Sequence, residues 1–269
     1  MTGVYSSADF LAALPVDALV AFAVFARVGA MMMTAPAFGD YTLSPRIRLV
    51  IALGLSAVLA PAAASSFPPN VIDMNDGLAM PALLIGEIAV GLFLGLVARM
   101  LAAALNVAGQ IIALQMGLSL AQIFDPGQAI QGAIVGGFLA VLGTTMIFAT
   151  DLHHLLIAAL RDSYFLFAPG GVAFSATGGV TGDMASAMID SLSFAFSLGV
   201  RLAAPFIVFG LIFYAGAGVL NRLMPQAQVF FMLMPANLIL GLLLLMLTTG
   251  LMMTVFLNAF GERMLQFLR

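Results

Sequence analysis

The chain has no cysteine and no lysine; all nine of its basic residues are arginine. The first absence excludes a disulfide framework, a thiolate metal site and a cysteine nucleophile. The second excludes a Walker A lysine and Schiff-base chemistry. Charge of either sign is scarce, at 8% of residues, against about 25% in a soluble domain. The net charge of −3 argues against nucleic acid as a partner. Residues 1–14 contain no basic residue and carry Asp9. They lack the n-region of a cleavable secretory signal, so the first apolar run is expected to be retained. What remains is apolar: hydrophobic residues make up 63% of the chain. No polar block is long enough to fold alone, and a bilayer is the natural solvent for such a sequence.

Six apolar runs stand out. The first is roughly 16–33. The second follows Arg46 and Arg48 and ends near Ala64. The third, about 81–108, is longer than one crossing requires, at ~20 residues. The fourth is about 130–149, with room to continue past His153 to Leu160; the fifth is 192–220 and the sixth about 230–260. Turn signals separate them: Pro36 to Pro45, Pro68-Pro69-Asn70, Asp125-Pro126-Gly127, Pro169 to Gly182, and Met224-Pro225-Gln226. No fixed-period repeat and no ten-residue alternation of a β-barrel appears. The expected fold is an all-α integral membrane protein, one membrane domain over 1–269, of about six long hydrophobic helices. Arginines divide evenly between the two sides, so charge alone leaves orientation open; the Arg222 joint is taken as cytoplasmic.

Charges inside apolar runs cost about 2.5–3.5 kcal/mol each on insertion scales, so each needs a reason. Glu87, Gly91, Gly95 and Arg99 recur every four residues in the third run, a slowly drifting stripe that continues to Ala102, Asn106 and Gln110. Small residues admit a neighbouring helix, and polar ones bond across it. The stripe is expected to be a helix-packing seam, with the wall of an aqueous path as the sharper alternative. It looks hard to satisfy within one chain, so partner helices are expected. Arg27 and Arg201 also sit inside runs, with Asp17 and Asp190 as candidate partners. Asp151, His153 and His154 are poorly spaced for metal, because adjacent histidines on a helix point about 100° apart; a polar helix break is the better reading. No catalytic, cofactor or metal constellation emerges.

Two stretches go further. One runs from Gly109-Gln110 through Gln115-Met116-Gly117-Leu118-Ser119 to Phe124-Asp125-Pro126-Gly127. The other is Asn221-Arg222-Leu223-Met224-Pro225-Gln226, followed by Val229-Phe230 and Pro235. With Pro36-x-Phe38-Gly39, Pro45-x-x-Arg48, Gly86-Glu87 and Ala204-Pro205, their order resembles the FliR family of flagellar biosynthesis proteins and its type III secretion relatives. The chain departs at Leu152-His153, where a Gly-His pair is usual, and at Leu233-Met234, where Gly-Phe is.

The resemblance implies a one-copy subunit of the flagellar export gate in the bacterial inner membrane. Such a subunit assembles with FliP and FliQ homologues, and by resemblance also meets FlhB and FlhA homologues. Unfolded export substrates pass through the assembly. It implies a FliP-like part over about 1–184 and a FliQ-like helical hairpin over about 185–269. The hairpin turn at Arg222, Pro225 and Gln226 would face the cytoplasm. An irregular plug would close the conduit at rest, drawn from Gln110, Gln115, Met116, Gly117, Leu118, Ser119, Leu120, Ile123, Phe124, Asp125 and Pro126, with Gly117 as a weak point that lets it move. A secondary transporter for a small solute is the alternative function. No cofactor is implied.

Overall fold

A computed structural model describes residues 16–36, 38–39, 43–67, 79–118, 131–170, 180–224 and 229–266. Every regular element among them is a helix: α1 (Val16–Thr34), α2 (Pro45–Ala64), α3 (Ala79–Gln115), α4 (Gln131–Ala149), α5 (His153–Leu166), α6 (Val180–Leu223) and α7 (Val229–Gln266). Four of these are long and apolar enough to cross a membrane, or five crossings if α4 and α5 form one broken span. Among the described residues the expected fourth run is two helices, because it breaks at 150–152, where Asp151 takes a positive φ of 59°. That conformation cannot continue a right-handed helix.

The boundaries follow local chemistry. α2 opens with Ser44 as N-cap, its hydroxyl accepting the Ile47 N–H, and with Pro45 in the first turn, where a missing N–H costs nothing. α3 runs seven residues beyond the expected end near Ala108; the segment holds no proline, and its glycine, Gly109, is kept by a close contact with the Gly136 backbone. Gly109, Gln110 and Gln115 are therefore helical. α3, α6 and α7 hold 37, 44 and 38 residues. At 1.5 Å per residue they reach about 55–66 Å, roughly twice the hydrocarbon thickness of a bilayer.

The helices fall into two compact units that do not follow chain order. One comprises α1, α2, the first part of α3, α5, the start of α6 and the last residues of α7. The other comprises the rest of α3, α4, and most of α6 and α7. In the first unit α1 packs along α2, and α2 touches α5. α3 is the core element: 56% of its apolar window is buried, against 22% for α2, α6 and α7.

Candidate functional site

The stretch singled out as a plug is rooted where α3 ends, and the ending is built from backbone hydrogen bonds. The Leu118 N–H donates to the Ala113 carbonyl at 3.0 Å, and the Gly117 N–H to the Leu114 carbonyl at 3.1 Å. Gly117 has φ 78°. This is a Schellman cap, in which glycine adopts the left-handed conformation without a Cβ penalty. Gly117 is buried. Gly117, expected from sequence to be a weak point in a loop, is the capping residue at the end of α3.

Two side chains of that root are seated in notches on α6 and α7. A Cβ at Gly210 of α6 would overlap Oε1 of Gln115, and one at Gly241 of α7 would overlap Cγ of Met116. Glycine at both positions leaves the room these side chains fill. The main chain is tied as well: Asn237 of α7 donates from Nδ2 to the Gln115 carbonyl at 3.1 Å, and lies 3.4 Å from the Tyr214 hydroxyl of α6. Carbonyls in the last turn of a helix lack intrahelical donors, so Asn237 supplies a cap from another helix. Only the amide NH2 can donate to that carbonyl, which fixes the amide's orientation. A small cleft adjoins this contact, lined by Gly117, Phe213, Tyr214, Leu233, Met234 and Asn237.

The rest of α3 in this unit is gripped the same way. A Cβ at Gly109 would collide with the backbone of Gly136 on α4, and one at Gly199 on α6 would lie 2.8 Å from Val107 Cβ. Gly143 on α4 makes room for Leu105. Small residues at contacts let helix backbones approach closely in lipid, where no hydrophobic force draws helices together.

In the first unit a charged node holds three helices. Arg27 of α1 donates from Nε to Glu87 Oε2 of α3 at 2.7 Å and from Nη2 to Oε1 at 2.9 Å. It also donates to the Ser163 hydroxyl of α5 at 3.0 Å and to the Phe167 carbonyl at 2.9 Å. Its guanidinium stacks 4.0 Å from the Tyr164 ring centroid. Arg27 and Glu87 are both fully buried, and a bidentate, hydrogen-bonded pair is how a low-dielectric interior tolerates two charges. The partner of Arg27 is thus Glu87, neither of the aspartates weighed from sequence. Asp190 is exposed on α6, and the Asp17 side chain lies outside the described ones. Glu87 is satisfied within its own chain, contrary to the expectation that partner helices were needed. Opposite charges inside two different apolar runs were the signal that would have matched them.

The stripe divides accordingly. Gly91 and Gly95 pack on α1: a Cβ at Gly91 would overlap the Arg27 carbonyl, and one at Gly95 would lie 2.8 Å from the Met31 carbonyl. Arg99, Asn106 and Gln110 are exposed. Each step of four drifts about 40° around the helix, so by Arg99 the stripe has left the face of Glu87. Arg201 and Arg222 are exposed too. His153 and His154 are closer than their helical spacing suggests, with ring centroids 4.1 Å apart. Ser119, Leu120, Ile123, Phe124, Asp125, Pro126, Pro225 and Gln226 lie outside the described residues. Asn237 was missed from sequence, although a lone asparagine in an apolar run needs a partner for its amide.

These features define a helical membrane protein in which each compact unit is packed by close helix contacts to its own part of α3. Residues 18–263 match the family "Bacterial export proteins, family 1", and the chain belongs to that family. It is 42% identical to the flagellar biosynthetic protein FliR of Caulobacter vibrioides over 229 residues, 85% of this chain and 88% of the relative. To FliR of Escherichia coli it is 29% identical over 219 residues (81% and 80%), and to FliR of Bacillus subtilis 28% over 238 (88% and 89%). The resemblance drawn from the Gly109–Gly127 and Asn221–Gln226 motifs therefore leads to the family the comparisons find, one of flagellar biosynthesis and export.

Proposed function

We propose that the chain is a subunit of the flagellar type III export gate in the bacterial inner membrane, forming with FliP and FliQ homologues the conduit for unfolded flagellar subunits. One observation carries this reading. Exposed large apolar side chains run along α6 from Ile189 to Leu223 and along α7 from Met232 to Leu265. Each strip is about 50 Å long at 1.5 Å per residue. Even at a tilt of 40°, the upper end of the usual range, it projects to about 39 Å, more than the roughly 30 Å of hydrocarbon. Lipid alone leaves part of each strip in water, whereas helices of neighbouring subunits would cover it. A secondary transporter working alone has no use for the surplus.

On this reading α6 and α7 are the FliQ-like hairpin and the Arg222 turn meets the cytoplasm. The stretch beginning at Gln115 and Met116 is the plug, held at its root by Gly210, Gly241 and Asn237. Co-expression with FliP and FliQ homologues, followed by purification through a tag on this chain, tests the assignment. A large complex containing all three is expected. A monomer or small homo-oligomer with neither partner would overturn it in favour of the transporter.

A further inference from the structure

Between Gly91 and Ala113 the exposed residues of α3 are Arg99, Asn106 and Gln110, and all three are polar. Their spacings of seven and four residues, at about 100° per residue, keep them within about 20° of one line down the helix. At 1.5 Å per residue that line is about 17 Å long. Ala102 and Ala103, half-buried between them, keep the face low. The exposed surface of the other helices in this part of the molecule has the opposite character. Phe138 and Val141 on α4, Leu211 on α6 and Leu247 on α7 are large, apolar and exposed.

None of the three side chains hydrogen-bonds or pairs with another described residue. Hydrocarbon would leave a guanidinium and two amides without partners, which membrane helices avoid. Ionisable groups on such helices face a bundle interior or a water-filled cavity. The place of the face along the chain favours water. Gln110 stands seven residues before Gly117, about 10 Å along α3, and the stretch read as the plug begins at the Gly117 cap. A plug closes a path only where the wall of that path stands beside it. The face is also firmly mounted, because the main chain of α4 at Gly136 packs against Asn106 and Gly109.

We propose that the Arg99–Asn106–Gln110 face is this chain's share of the water-filled wall of the export path, and that Arg99 gives that wall a fixed positive charge. Such a wall presupposes the export gate proposed above and adds which face of the chain meets the cargo. An unfolded polypeptide presents main-chain donors and acceptors along its whole length. The amides of Asn106 and Gln110 both donate and accept, so they meet such a chain without selecting its side chains. Arg99 only donates and stays charged. It attracts acidic segments and small anions and repels basic ones.

The chain has no cysteine of its own, so Arg99→Cys, Asn106→Cys and Gln110→Cys, with Val141→Cys and Leu247→Cys as apolar controls, report on each face separately. Each is labelled with a charged, membrane-impermeant maleimide, in the isolated chain and in the purified complex with cysteine-free FliP and FliQ homologues. Only the thiolate reacts, and apolar surroundings suppress it by about tenfold for each unit that the thiol's pKa rises. The three wall positions are therefore expected to label at least roughly tenfold faster than the controls, in the complex as well as in the isolated chain. Labelling in the isolated chain with protection in the complex means that a neighbouring subunit covers the face. That result overturns the wall and leaves the export gate intact. Labelling as slow as the controls in both samples puts the face in apolar surroundings and overturns the wall too. If the wild-type chain forms no complex with the FliP and FliQ homologues, the gate reading falls and the wall falls with it. The charge has its own readout in Asn106→Cys, seven residues from Arg99. Adding Arg99→Gln is expected to lower the ratio of anionic to cationic reagent rates there by roughly threefold at low salt. An unchanged ratio overturns the charged wall.

Discussion

The Arg27–Glu87 node gives the sharpest test of how this fold is held. Replacing Arg27 by Met strands the Glu87 carboxylate in a fully buried site, and breaking such a pair costs about 3–5 kcal/mol. Glu87→Met strands the guanidinium to a similar extent. Glu87→Gln is no conservative escape: Arg27 donates to both carboxylate oxygens, so one of them becomes an NH2 facing another donor. The double variant Arg27→Met/Glu87→Met removes both charges and keeps the volume near constant. Its remaining cost is the Phe167 carbonyl and Ser163 hydroxyl left without the guanidinium, about 1–3 kcal/mol. The double variant is therefore expected to be more stable than either single one. Total stabilities are about 5–15 kcal/mol, so the singles should also accumulate poorly. Unfolding of the purified chain by SDS titration, followed by far-UV circular dichroism, measures the cycle. A double variant as unstable as the sum of the singles would refute the coupled node, as would a Glu87→Gln variant within about 0.5 kcal/mol of wild type.

Other perturbations follow from the same contacts. Gly109→Ala sets a Cβ against the Gly136 backbone, whereas Gly137 has nothing within 4 Å; in thermal melts the first is expected to lose about 1–3 kcal/mol and the second to change little or gain from alanine's helix propensity. Asn237→Leu leaves the Gln115 carbonyl without its outside donor, an expected loss of about 1–3 kcal/mol, and should raise ion leak through the co-assembled complex in bilayer conductance recordings; an equally tight variant would mean the cap does not position the plug. Removing Ser119 to Phe124 while keeping the Gly117 cap should preserve the complex on native gels yet make it leak, and a complex that stays tight would place the seal elsewhere. Arg222→Glu should impair motility more than assembly, so normal swimming would reduce that arginine to an anchor with no role in export.

The sequence by itself determined the class. Charge at 8% and hydrophobic residues at 63% leave no soluble solution, because there is too little polar surface to face water. The family was legible too, since the Gly109–Gly127 and Asn221–Gln226 motifs keep their order along the chain. Helix existence followed from run length and composition alone. What the sequence could not supply was which helix meets which. Arg27 and Glu87 are 60 residues apart, and several acids compete for that arginine until packing brings one within 2.7 Å. The Glu87–Arg99 stripe reads as one face at four-residue spacing, yet its drift carries Arg99 onto an exposed side. Gly117 looked like a weak point because local sequence does not tell a free glycine from one capping a helix. Only the bonds back to Ala113 and Leu114 decide that. The glycines at 210 and 241 have no motif of their own. Their role is the space they leave for Gln115 and Met116, and such space exists only once three distant helices are packed together.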